Sequence, residues 1–332
     1  MKRFFVILFF LCSHFVIGQS NYKLYYQAFL KANSVESKDS VLYYKLKAIT
    51  FADAFPKDLL NISFEYYKNE NLKLADKYFI KAILNGYQIE PDSDFINIPY
   101  KTNYDFGFIE KFKNSKSIYG EFMNTMYNRN KKKIEKARLN FLNSIDLVED
   151  SKFEYLLQNE FDFQKVRLEI LPQKNISDSI YVVLNKYMNT GNSYVMLEML
   201  KNNSFPNRKK CRRFNEQTIT LLLNHAIAAF VNKEDAKEFV DLLWEQVEKG
   251  NITTYDYAKA LDHYTSWYEK NNTSLLGTTA IASSDFKTFQ CLDVLYPEKL
   301  NELRKKYWLN TIEEFCKSTG FLLPSNYVEV TN

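Results

Sequence analysis

Apolar side chains recur along this chain at intervals of three and four, the spacing that places them on one face of an α-helix. Leu156, Leu157, Phe161, Phe163 and Val166 make one such stripe, which ends near Pro172. Ser177 and Asp178 supply capping side chains for another, through Tyr181, Val182, Leu184, Tyr187 and Met188. Gly191-Asn192 is expected to close that helix, and Ser193 to restart one through Leu197 and Leu200. Residues 215–231 are apolar nearly all round, the mark of a central helix, and Asn224 and His225 are its polar intruders. Phe239, Leu242, Leu243, Trp244 and Val247 form an ordinary one-sided stripe that Gly250 stops. Thr253 or Thr254 can cap the next helix, where Tyr257, Leu261, Tyr264 and Tyr268 align. Pro297 opens a last predicted helix bearing Glu302, Arg304, Tyr307 and Trp308.

Nearer the N-terminus the pattern repeats itself. Tyr44-Lys-Leu-Lys-Ala-Ile49 is echoed by Tyr78-Phe-Ile-Lys-Ala-Ile83, an offset of 34 residues. Leu59, Ile62, Ser63 and Tyr66 suit a first helix and Ala75, Phe79 and Ala82 a second, with Asn69-Glu70-Asn71 as the turn. The unit before it keeps Tyr25, Ala28, Ala32 and Ala48 but carries Val41 and Lys45 where Ala and an aromatic belong. This resembles the tetratricopeptide repeat, whose period is 34 and whose small residues let paired helices approach. Two units seldom stand alone, so the downstream segment is expected to support them.

The expected fold is therefore all-α: tetratricopeptide-like helical hairpins followed by a multi-helix C-terminal domain. Composition agrees. Hydrophobic residues reach 46%, enough for a core, while Gly and Pro number only 8 and 7, too few for a turn-rich β architecture. Residues 91–107 carry Pro91 and Pro99 beside Phe95, Ile96, Ile98 and Tyr100, and read as a packed connector. The predicted divisions are 1–18 as a signal peptide, 19–90 as repeats, 91–150 as connector and basic helix, and 151–332 as the C-terminal domain.

The export reading rests on Lys2-Arg3 ahead of the apolar run Phe4–Leu11, with a cleavage point before Gln19. Ser13 and His14 interrupt the run, which argues against an uncleaved membrane anchor, and Leu11 before Cys12 argues against lipid attachment. The expected location is periplasmic or extracellular, with no transmembrane anchor in the mature chain. Loss of residues 1–18 leaves 42 basic against 40 acidic side chains, close to balance. Six basic residues in Arg129–Arg138 therefore read as a solvated helix face, and no nucleic-acid partner is expected. Arg208–Arg213 is a second basic cluster, in a loop expected to face solvent. Cys211 lies inside it, so its thiol pKa is expected to fall if those charges stay close. Of the remaining cysteines, Cys291–Cys316 is the natural pair for a bridge, against three unpaired packing residues.

The candidate chemistry collects between residues 214 and 308. A polar pair inside an apolar helix needs partners, because an unpaired buried polar group costs roughly 1–3 kcal/mol. Asn224-His225, Asp262-His263 and the loop Gly277-Thr278-Thr279 are expected to share a polar centre, with Arg304 as the inward cation. In the enzymatic reading, hydrolase-like, His225 is general base, Asp262 its orienting carboxylate, and Thr278 or Arg304 the anion stabiliser. Asn224, His263 and Gly277 are the accompanying binding positions. In the other reading His225 and Asp262 are a hydrogen-bonded pair that holds helices in register. Cofactors: none are expected, and no spacing suggests a metal.

The order of these features resembles a family of bacterial, often exported proteins defined by a domain of unknown function. Its landmarks match Gln164 and Arg167, Asn192, Asn224-His225, Asp262-His263, Gly277-Thr278-Thr279, and Arg304 ahead of Trp308-Leu309, over about 155–315. Asn224 and Thr279 stand here where the family has Gln, His263 where it has Arg, and Trp308 where it has Gly. If the family uses those groups in catalysis, the resemblance implies that this chain has lost or altered the activity. The reading that follows is a protein- or peptide-binding or scaffold module of the cell envelope, with the enzyme centred on His225, Asp262 and Arg304 as the alternative.

Overall fold

A computed structural model describes residues 21–89, 112, 115–165, 178–282 and 288–328, side chains within 163–189 and at 216–217 excepted. The predicted signal peptide and the 91–107 connector lie outside those residues, as do the side chains of Gln164 and Arg167. The fold is all-α with small β pairings near the C-terminus.

Among the described residues the first four helices are α1 (Tyr22–Asn33), α2 (Lys38–Phe51), α3 (Pro56–Lys68) and α4 (Leu72–Leu84). Their starts recur at 34 residues, Tyr22 to Pro56 and Lys38 to Leu72. Local chemistry sets the ends. The Asn21 and Asn71 side chains accept from the amides of Leu24 and Leu74, and Pro56 occupies a first turn where its missing N–H costs nothing. Between α3 and α4, Glu70 takes φ 58 to reverse the chain. There the helices cross closely, because Ser63 and Ala75 are small and fully buried, and Ser63 Oγ donates to the Ala75 carbonyl at 2.7 Å.

The expected support for these hairpins is α5 (Ile118–Asn143), which packs on α4 through Phe122, Met126 and Ile134. It kinks at Asn130, whose φ of −120 leaves the helical region. The Asn130 amide donates to the Met126 carbonyl at 3.0 Å and to Asp76 at 2.6 Å, fastening the kink to α4. Lys131, Lys132 and Lys133 lie on the exposed side of the same helix.

The C-terminal half is built from α6 (Leu147–Lys165), α7 (Asp178–Lys201), α8 (Glu216–Ala229), α9 (Lys233–Glu248) and α10 (Thr254–Tyr264). Leu222, Leu223, Ala226 and Ile227 of α8 are buried between its neighbours, as a helix apolar on most sides requires. Thr253 caps α10 in a reciprocal box with Asp256. One expectation is corrected here. The helix does not stop at Gly191-Asn192. It runs through them because the Asn192 amide donates to the Leu156 carbonyl at 3.1 Å and Ser193 Oγ to Ala226 at 2.8 Å. Tertiary partners thus overrule a local stop signal.

Past α10 the described residues form a π-helical turn, Thr265–Glu269, and the strands β1 (Thr273–Ser274), β2 (Ala280–Ala282), β3 (Phe289–Cys291) and β4 (Asp293–Val294). β1 pairs with β4 in parallel, and β2 with β3 antiparallel. A 3₁₀ turn at Pro297–Lys299 leads into α11 (Leu300–Lys306), and α12 (Ile312–Thr319) follows.

The two halves meet along a seam. The Tyr26 ring stacks on Trp308 with centroids 5.8 Å apart, and its hydroxyl accepts from the Thr254 amide at 3.3 Å. Arg208 is buried beneath the seam. Its Nε donates to the Gly250 carbonyl at 2.6 Å and its Nη2 to the carbonyls of Asp53 and Ala54 at 3.0 and 3.3 Å, while its plane lies 4.1 Å from the centroid of Phe55. The rest of the basic cluster is paired with acids, while Lys209, Lys210 and Arg212 keep solvent-accessible side chains. Lys209 pairs with Asp53, Arg212 with Asp150 at 2.7 Å and Arg213 with Glu154 at 3.2 Å. With acids so close and burial complete, the Cys211 thiol pKa is raised, burial being the larger cause. The expected drop is reversed, because the flanking cations are spent on those acids.

Gly250 takes φ 72, and a Cβ there would fall 1.9 Å from Tyr22 Cζ. Gly320 takes φ 76 with nothing within 4 Å of its Cβ position. Gly320→Ala is therefore expected to cost only the left-handed backbone penalty, about 1–2 kcal/mol. Gly250→Ala adds a ring clash and should cost about 3 kcal/mol or more in urea unfolding. Equal costs for the two variants would mean that the seam is looser than described.

Candidate functional site

Two polar centres form where one was expected. The first is built on Asp262, fully buried on α10. Its Oδ1 accepts from the amides of Leu275 and Leu276 at 2.8 and 2.6 Å. Its Oδ2 accepts from the amide and the hydroxyl of Thr278, both at 2.6 Å. All four partners can donate, an arrangement that suits an ionised carboxylate. Burial nevertheless pushes its pKa up, against the downward pull of the Thr278 hydroxyl and the three amides. Gly277 sits at the tip of this loop with φ 68, and a Cβ there would come 2.9 Å from Ile312. Arg304, 1% exposed, grips the same loop from the other side: Nη1 donates to the Leu276 carbonyl and Nε to that of Asn310 at 2.6 Å. Its guanidinium rests 5.0 Å from the centroid of Phe315. Leu276 is thus held by its N–H from Asp262 and by its carbonyl from Arg304.

His225 is not part of this group. Asp262 takes its hydrogen bonds from the 275–278 loop, whereas His225 Nδ1 lies 2.5 Å from Glu160 Oε1 on α6. The shared centre of His225, Asp262 and Arg304 is therefore corrected to two. The physical reason is competition: four short donors already saturate Asp262, and a buried Glu160 needs a cationic or donor partner of its own. His263 lies near His225, and burial first, then the charge of His225, lowers its pKa to about 4. At neutral pH that imidazole is uncharged. Asn224, beside His225, keeps a buried Oδ1 with no hydrogen-bond partner among the described residues, and Thr279 Oγ1 does the same.

Glu160 went unread in the sequence although a signal was present. It falls in phase with Phe153, Leu156 and Leu157, so an acid occupies the buried stripe of α6. Asn192, the helix landmark, also turns inward here, accepting from Asn159 at 3.1 Å.

A cavity of about 390 Å³ opens beside the seam, between α3, α5, α8 and the start of α10. Phe55, Leu60, Tyr119, Phe214 and Ile219 give it apolar and aromatic walls, and Lys57, Asn251 and Asp256 contribute polar edges. Burial raises the Tyr119 phenol pKa and the Lys57 charge draws it back, which places a cation beside that wall. Asp256 is tied down by Thr220 at 2.6 Å and by the Thr253 amide at 3.0 Å. The walls are thus fixed by groups already engaged elsewhere, the state of a preformed pocket.

Among the described residues, no group of three or more His, Cys, Asp or Glu side chains is placed to hold a metal. No family model, curated protein or solved structure matches this chain.

Asp262→Asn tests whether the first centre is structural. The new amide would aim N–H groups at N–H groups, and the variant is expected to lose about 3 kcal/mol in urea unfolding. Wild-type stability in that variant would show the carboxylate to be dispensable for the fold and return it to the list of chemical candidates.

Proposed function

We propose that this chain is an exported helical-repeat module of the cell envelope that binds a protein or peptide partner in the cavity beside the seam. The observation that carries the reading is the cavity itself: aromatic walls, a few fixed polar edges, and a volume that fits one large side chain. Aromatic pockets with polar rims are where partner anchors bury most productively. The tetratricopeptide assignment draws support from the 34-residue recurrence of helix starts and from the Ser63–Ala75 crossing. The inner face of α1 is not the peptide groove in this reading, because Tyr22 and Tyr26 already pack under Gly250 and Trp308.

Export rests on the sequence of residues 1–18. Among the described residues no helix is long and apolar enough to cross a membrane. The resemblance to the domain-of-unknown-function family draws support from Asp262, Gly277, Thr278 and Arg304, which share one centre. Trp308 adds to it: it stands where that family has Gly and takes φ 55, a conformation glycine adopts without steric cost. The enzymatic alternative loses its centre in this reading, since Asp262, Thr278 and Arg304 are sealed and His225 is engaged by Glu160.

The test is selection of a displayed random-peptide library on the wild-type chain. Enriched peptides should share an aromatic or large aliphatic residue at one position. Their affinity should fall about 30-fold for Tyr119→Ala and stay unchanged for Tyr43→Ala, an exposed ring away from the cavity. Melting curves of both variants verify folding. No enrichment, or equal binding by the two variants, would overturn the reading.

A further inference from the structure

The C-terminal tail has its own small hydrophobic cluster, separate from the main core: Cys291, Val294, Leu300, Ile312, Phe315 and Cys316. Its helices are short, 7 residues in α11 and 8 in α12. So little buried apolar surface holds a segment weakly, and small clusters of this kind commonly rely on a covalent tie. Two of the six members are cysteines, and they face each other. Cys291 Sγ and Cys316 Sγ are 3.7 Å apart, both buried.

Backbone pairing sets up that approach. The Cys291 amide donates to the Leu322 carbonyl at 3.0 Å, and the Leu322 amide to that of Phe289 at 2.8 Å. The chain leaving α12 therefore runs alongside β3 and brings Cys316 over Cys291. A disulfide needs sulfurs about 2 Å apart, so each has roughly an ångström to travel. Cys211 belongs to the main core and serves as an internal comparison.

We propose that Cys291 and Cys316 form an intrachain disulfide that closes a loop of chain containing Arg304. Formation takes a disulfide donor of the glutathione class. One cysteine thiolate attacks the donor and releases a first glutathione thiolate. The other attacks the resulting mixed disulfide and releases the second. The two thiol protons finish on the two glutathiones, and the protein's sulfurs supply the two electrons. Burial pushes the Cys291 thiol up to about 12 and the Cys316 thiol up as well, so thiolate is scarce in the folded chain and exchange follows local opening or accompanies folding. The bond ties β3, whose neighbour Leu292 donates to the Thr279 carbonyl at 2.9 Å, to the helix that carries Phe315 under Arg304. Both flanks of the Asp262 loop are then fastened to each other. Persistence of the bond in the cell rests on the export proposed above, whereas its formation in vitro does not.

The experiment incubates the purified chain with oxidised glutathione, once natively and once during refolding, then alkylates it in denaturant and maps the peptides by mass. The expected result is a linked Cys291–Cys316 peptide lacking two hydrogens, with Cys211 alkylated. The oxidised chain should melt roughly 5 °C above the reduced one. The double variant Cys291→Ala, Cys316→Ala should fold and show no response to oxidant. Alkylation of both Cys291 and Cys316 in the refolded sample, or a linkage that involves Cys211, would overturn the proposal. A bond that forms in vitro but is absent from chain recovered from its native compartment would leave this proposal standing and count against export.

Discussion

Arg208 puts a guanidinium into the boundary between α1–α4 and the C-terminal helices, where it donates to backbone carbonyls and lies against the Tyr22 hydroxyl. Three carbonyls are engaged: Gly250 from one side, Asp53 and Ala54 from the other. Each charge-assisted bond contributes roughly 1.5–3 kcal/mol, against several kcal/mol of desolvation for a buried cation. The net gain is small, but the loss of any one partner leaves a buried charge poorly satisfied. That asymmetry is what fixes the geometry. The carbonyls of the α2–α3 connection and of the α9–α10 connection must both arrive for the cation to be tolerated. Gly250 lets Tyr22 close over the same point, and Lys209 adds a pair with Asp53 at the surface. The cavity beside the seam inherits its shape from this arrangement, since Phe55 lies under the guanidinium and also forms a wall.

The two polar centres of the C-terminal half follow the same logic at different depths. Asp262 is sealed, saturated and matched by Arg304 through a shared loop, so its chemistry is spent on holding residues 275–278 in place. Glu160 is just as buried, but its partner His225 remains partly exposed, with 27% of its side chain accessible. In the first arrangement the Asp262 carboxylate has no solvent-accessible surface. The second keeps an imidazole at the boundary with solvent, aligned by a carboxylate behind it. His263, held neutral nearby, adds no charge to that boundary at neutral pH.

Much of the fold was legible because helices report themselves through period. The 34-residue echo placed α2 and α4, the apolar run 215–231 placed α8, and Thr253 was one of two threonines expected to cap α10. What stayed hidden depended on distant partners. Gly191-Asn192 reads as a stop until Leu156 and Ala226 supply hydrogen-bond partners from other helices. Arg208 and Arg213 read as solvated until Asp53, Glu154 and Gly250 are brought to them, while Lys209, Lys210 and Arg212 stay accessible. Strands of two or three residues are too short to show alternation, and α12 hides behind the Pro297 signal that precedes it. The candidate site divided along the same line. Asp262, Thr278 and Arg304 converge as spacing suggested, while His225 went to Glu160, an acid whose phase on α6 marked it as buried. The cavity had no local signature, since its walls come from separate segments that only the seam unites.

Arg208 couples α1–α4 to the C-terminal half. Hydrogen–deuterium exchange on Arg208→Met, which keeps an unbranched apolar stem and removes the donors, tests this coupling. Amides in α1 and the α2–α3 connection should exchange about tenfold faster than in wild type, while those of the Asp262 loop keep their protection. Unchanged exchange around Tyr22 and Asp53 in that variant would contradict it.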